Sequence, residues 1–83
     1  MIAYLDNAAT TRVWPEAAQA AAEAMTERYF NPSSRYPAAS GAAKALESDR
    51  AAVAKALGCS PRELTITSCG TESDNWAVRA AAE

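Results

Sequence analysis

Thr65-Ile66-Thr67-Ser68-Cys69-Gly70-Thr71-Glu72-Ser73-Asp74-Asn75 decides how this chain is read. Leu64 to Thr67 alternates and is rich in β-branched residues, which predicts a short strand. Ser68-Cys69-Gly70 then turns the chain, and helical sequence follows over 72–82. A strand, a tight turn and a helix in that order bring the amino terminus of the helix to one point. The first N–H groups of a helix have no internal partner, and its dipole is positive at that end. Such an end holds a phosphate well. Gly70 would let a ligand approach the backbone closely, and the Ser68 and Thr71 hydroxyls would add donors. Ordinary capping accounts for the same residues: Thr71-Glu72-Ser73-Asp74 matches a capping box with Asp at its last position. Spacing alone leaves both readings open.

Outward from this unit the pattern is helical. Ser60-Pro61-Arg62-Glu63 predicts a single capped turn, and Gly58 a left-handed helix end. A helix is predicted over 40–57, with Ala43, Leu46, Val53 and Leu57 on its apolar side. Lys44, Glu47, Ser48, Arg50 and Lys55 mostly take the other side. Asn31-Pro32-Ser33-Ser34 and Pro37 read as breaks. Pro15 suits a first helical turn, and Ala18, Ala21, Ala22, Met25 and Tyr29 recur at helical spacing, which predicts a helix over 15–29. Before it, Ala3-Tyr4-Leu5 reads as extended and Asp6 to Thr11 as a turn. The last residues, Ala80-Ala81-Ala82-Glu83, carry no stop signal, so the chain is read as ending within a helix.

Composition limits what such a chain can do alone. Of its 83 residues 49% are hydrophobic, but 22 are alanine and only ten are Leu, Ile, Val or Phe. Alanine favours helices and close approach while contributing little apolar area. The expectation is low autonomous stability, with alanine faces made to lie against other surfaces. Eight basic and ten acidic residues are interspersed, with no stripe suited to nucleic acid. No apolar run has membrane-spanning length, and the start lacks the features of a signal peptide. Two cysteines and no histidine fit no zinc pattern, and a reduced, cytoplasmic setting is expected.

Three segments in order, Tyr4 to Thr11 (YLDNAATT), Asn31 to Ser34 (NPSS) and Thr67 to Asn75 (TSCGTESDN), resemble the start of the cysteine desulfurases. These are pyridoxal-phosphate (PLP) enzymes of the class V aminotransferase group. The likeness extends to Pro15-Glu16 and to the Gly-x-x-Pro-x-Glu pattern of Gly58 to Glu63, so it covers essentially the whole chain. It implies an α/β fold, namely the amino-terminal part of a fold type I PLP-dependent transferase. Residues 1–83 would then form one partial domain, mostly helical, with three helices and a short strand. In the family, the two residues before the Glu of the T-E-S-D-N motif bind the PLP phosphate; here they are Gly70 and Thr71. Asn7 to Thr10 resembles a segment near the active-site entrance, and Asn31 to Ser34 a loop of the substrate region. Two departures stand out. Tyr36 occupies a place where histidine is usual, followed by Pro37-Ala38-Ala39-Ser40 in place of an aromatic-Gly pattern. Cys69 occupies a place where glycine is common.

The implied reaction converts L-cysteine to alanine and leaves a persulfide on the enzyme for iron–sulfur cluster assembly. It implies a homodimer and a sulfur-acceptor or scaffold protein as partner, with no part for nucleic acid or membrane. The family's catalytic lysine, its aspartate on the cofactor ring, its ring-stacking histidine and its nucleophilic cysteine all belong to later parts of such enzymes. No catalytic residue and no metal ligand is therefore assigned within this chain, and alone it is expected to be inactive. Lys44 and Lys55 lie on the polar part of a helix and match no motif. Cys69 and Cys59 are read as structural, and Trp76 as a packing residue. Other readings are a selenocysteine lyase, a small-molecule aminotransferase of the same class, and a helical interaction module with no enzymatic role.

Overall fold

A computed structural model describes all residues from Met1 to Glu83. Its residues group into two compact units, Met1–Ala43 and Lys44–Glu83. In the first, the chain turns at once: the N–H groups of Ala9 and Thr10 donate to the Asp6 carbonyl at 3.1 and 3.4 Å. The Tyr4 hydroxyl reaches the Thr10 carbonyl at 2.6 Å, and Thr11 Oγ1 donates to Asn7 Oδ1 at 2.7 Å. Small polar residues make this turn by bonding their own backbone, as the sequence predicts.

Helix α1 spans Pro15–Thr26, with Pro15 in its first turn and Trp14 at its N-cap. The proline loses nothing there, because that N–H would have no partner in any case. The helix stops three residues short of the predicted Tyr29. Tyr29 and Phe30 stack with ring centroids 4.6 Å apart, and Tyr36 meets Phe30 edge-on at 6.2 Å. Neighbouring residues on a helix do not face each other, so this pair forms only if the helix has already ended. Asn31 then turns the chain, its Oδ1 accepting the Ser33 N–H at 2.9 Å and its carbonyl the Ser34 N–H at 3.1 Å.

Helix α2 spans Pro37–Leu57 and contributes residues to both units. It begins three residues before the predicted start. Pro37, read from sequence as a breaker, is its first residue, where a proline is favoured. Gly58 ends α2 at φ 77°, a left-handed conformation that glycine adopts without steric penalty. The N–H of Gly58 bonds the Lys55 carbonyl (3.2 Å) and that of Cys59 the Ala54 carbonyl (2.9 Å). This double bond pattern is the Schellman motif.

A single 3-10 turn, α3, follows at Pro61–Glu63. Ser60 precedes it but makes no side-chain cap bond, so the expected cap is not formed. The strand expected at 64–67 is not formed either. Leu64 has extended dihedrals, φ −95° and ψ 119°, but no other segment pairs with it. A strand exists only as part of a ladder, and local β preference cannot supply a second member. The last element, α4, spans Gly70–Ala82 and begins two residues before the prediction. All the regular elements of the chain are therefore helical.

Only Ala39 and Ala54 are fully buried. Met1, Ile2, Leu5, Trp14, Leu57, Ile66, Trp76 and Val78 are all exposed. The accessible surface is 7451 Å² for 8.7 kDa. Two separate compact units of half that mass would expose about 5,700 Å² in total by the usual scaling of surface with mass. Large apolar side chains are among what the surplus leaves bare. No helix is long and apolar enough to cross a membrane.

Candidate functional site

Within the second unit, the turn before α4 is held by hydroxyls. Thr67 Oγ1 lies 3.1 Å from the Cys69 carbonyl and 2.5 Å from Ser73 Oγ. Ser73 Oγ also reaches the Cys69 carbonyl, at 3.3 Å, so the two hydroxyls share that acceptor and each other. Asn75 Nδ2 donates to the Thr71 carbonyl at 2.8 Å, bracing the first turn from the other side.

Gly70 and Thr71 are the first and second residues of α4. The capping box predicted at Thr71 to Asp74 is therefore displaced: the N-cap is Cys69, in extended backbone with φ −168° and ψ 169°. Glu72 reaches back past the cap, and the Ser68 hydroxyl donates to its carboxylate at 2.7 Å. Ser68 is thus occupied as a donor. The Thr71 hydroxyl is free, making no hydrogen bond within the protein, and the N–H groups of Gly70, Thr71 and Glu72 have no backbone acceptor. The first backbone bond of the helix is Ser73 N–H to the Cys69 carbonyl at 3.2 Å. Gly70 does not have a positive φ, and a Cβ added there would meet nothing within 4 Å. The fold itself therefore makes no demand for glycine at this position, while a ligand resting on the backbone would. Free N–H groups, one free hydroxyl and the positive helix end form an arrangement suited to an anion. The donor set fits the phosphate of PLP and offers nothing for the rest of that cofactor. An open groove of about 510 Å³ runs along the side of α4 past Glu72, Trp76 and Glu83.

Cys69 sits at the centre of this turn. Hydrogen bonding from the Glu72 N–H does most to hold its thiol below the ordinary cysteine value, followed by the Ser68 hydroxyl; desolvation opposes them, and the Thr71 N–H adds least. These donors stand at the amino terminus of α4, an end that favours a thiolate. A lowered pKa gives more thiolate at neutral pH, and the excess disappears as pH rises past the ordinary thiol range. Cys69, which is exposed, is expected to alkylate with iodoacetamide severalfold faster than the partly covered Cys59 at pH 7. Peptide mass spectrometry of a time course reads this directly, and equal rates would refute it.

The two other predicted segments lie in the first unit. Asn7 to Thr10 and Asn31 to Ser34 each form a self-contained turn. Lys44 and Lys55 are exposed on α2. Sequence reasoning missed one residue. Arg50, assigned to the polar side of α2, is turned inward, and its Nη1 donates to the Leu64 carbonyl at 2.7 Å. The signal was present: Arg50 is four residues from both Leu46 and Ala54, and so shares their face.

Residues 3–83 match the family model described as Aminotransferase class-V. A cysteine desulfurase of Trichormus azollae is 46% identical over 80 residues, which cover 96% of this chain and 20% of that protein. A cysteine desulfurase IscS of Methanosarcina thermophila is 44% identical over 79 residues, 95% of this chain and 20% of the relative. A selenocysteine lyase of Rattus norvegicus is 44% identical over 75 residues, 90% and 17% of the two chains. The chain thus spans about a fifth of the length of the curated relatives it matches. No solved structure matches significantly.

Proposed function

The chain belongs to the class-V aminotransferase family, and from that premise we propose that it is part of a PLP-dependent cysteine desulfurase, in which Gly70 and Thr71 hold the cofactor phosphate. The observation that carries this reading is the free helix start at Gly70–Thr71, lying within the motif that resembles the family's phosphate-binding segment. Relatives named cysteine desulfurase at 44–46% identity support the choice of activity.

When bound, PLP supplies the electron sink for bond breaking on an amino-acid substrate. This chain's contribution is binding and orientation. The Thr71 N–H and hydroxyl would hold the phosphate, Gly70 would permit its approach, and the Thr67–Ser73 and Asn75–Thr71 bonds brace the turn that carries these donors. By the family resemblance, the lysine, aspartate, histidine and cysteine of the chemistry would lie outside residues 1–83. The complete enzyme would take sulfur from L-cysteine, giving alanine and an enzyme persulfide. It would act as a cytoplasmic homodimer and pass the sulfur to an acceptor for iron–sulfur clusters.

Selenocysteine lyase is the second reading, favoured by the relative of that name at 44% identity. The test supplies L-cysteine and L-selenocysteine separately to a complete enzyme carrying this segment. Reductant-dependent release of sulfide from cysteine is expected. Release of selenide alone, with no sulfide, would transfer the assignment to the lyase.

A further inference from the structure

Arg50 makes the only side-chain hydrogen bond in the chain that joins residues more than six positions apart: Nη1 to the Leu64 carbonyl at 2.7 Å, across 14 residues. Its side chain is 25% exposed, against 70% for Glu47, the only carboxylate near it. That ion pair is long, at 3.9 Å, and an exposed pair of this kind contributes little. The carbonyl is therefore the principal partner, and a charged donor to a carbonyl is among the stronger hydrogen bonds.

The partner's position gives the bond its meaning. Leu64 opens the connection, residues 64–69, that leads to α4, and no strand pairs with it. Its far end is held by the Thr67, Ser73 and Cys69 bonds. Its near end is held by Arg50. We propose that Arg50 is a positioning residue for the phosphate cradle: by tying the Leu64 carbonyl to α2, it sets where the connection delivers the N–H groups of Gly70 and Thr71. This rests on the assignment of those two residues to the phosphate. Arg50 touches no cofactor atom in this account and acts only through the backbone it holds.

The bond is single and made by one nitrogen, so a lysine can replace it in part, unlike at a bidentate site. Arg50→Met keeps the covered stem and removes the donor. The experiment uses the complete enzyme carrying this segment, stripped of cofactor and titrated with PLP and, separately, with pyridoxal, which has the same ring and no phosphate. Arg50→Met is expected to weaken PLP binding about five- to tenfold, part of what one hydrogen bond to a charged group is worth. Pyridoxal affinity stays within twofold, and Arg50→Lys recovers most of the PLP affinity. Equal losses for both ligands would reduce Arg50 to a general stabiliser and overturn the proposal, as would unchanged PLP affinity or failure of Arg50→Lys to recover it. Should Arg50→Met not fold, Arg50→Gln is judged on the same ratio. Thr71→Ala, run in parallel, separates the two assignments. If it weakens PLP binding while Arg50→Met does not, only the role of Arg50 falls. If it leaves PLP binding unchanged, the cradle itself falls.

Discussion

Thr71→Ala, in a complete enzyme carrying this segment, is expected to weaken PLP binding by about ten- to a hundredfold. The substitution leaves the helix start intact, because the backbone N–H groups of residues 70 to 72 remain. It removes the one hydroxyl at that start with no partner inside the protein. A hydrogen bond to a charged group is worth about 1.5–3 kcal/mol, and each 1.4 kcal/mol is about tenfold in affinity. Gly70→Val is expected to weaken binding as well, for a different reason. Its side chain would enter space where an added Cβ meets nothing of the protein, so the loss would come from the excluded ligand and not from a damaged fold. Cys69→Ser is expected to leave affinity nearly unchanged, since the sulfur is assigned no contact. The three neighbours are compared by titrating PLP into stripped enzyme. Normal affinity in Thr71→Ala together with loss of activity in Cys69→Ser would reverse both assignments.

The isolated chain of residues 1–83 is expected to release no sulfide from L-cysteine above a control containing PLP alone. Enzymes accelerate reactions by about a millionfold or more, so the expected effect is the loss of everything the complete enzyme provides. The two lysines are both exposed on α2, and neither adjoins Gly70 or Thr71 in sequence. No polar or charged side chain is buried anywhere in the chain, so nothing is poised in a site shielded from water. Sulfide measured over hours, with the concentration of chain varied, checks this. Release that rises in proportion to the chain would mean that residues 1–83 hold catalytic groups of their own.

Features governed by local chemistry were legible in the sequence. Pro15 marks the start of α1 because one turn suffices to place a proline, and Gly58 marks the end of α2 because its conformation is a property of one residue. Features that depend on a second segment were not. Leu64 to Thr67 has the composition of a strand, but a strand needs a neighbour that these residues do not contain. Tyr29 continues the helical spacing of α1, yet the helix has ended at Thr26 and Phe30, on which Tyr29 stacks, also meets Tyr36 across the next turn. The candidate site divides in the same way. Gly70 and Thr71 were singled out through their motif, and they begin α4; the shift of the cap to Cys69 goes with the reach of Glu72 to Ser68, a contact no spacing rule specifies. Arg50 was assigned to the wrong side because charge was weighted above its four-residue spacing from Leu46 and Ala54.

Bare apolar surface also has a cellular consequence. A free copy of this chain would show Ile2, Leu5, Trp14, Leu57, Ile66 and Trp76 at once. Chaperones and proteases sort newly made proteins by the hydrophobic surface they leave open. By that rule the open surface of residues 1–83 marks a free copy for such sorting, and whatever covers it removes the mark.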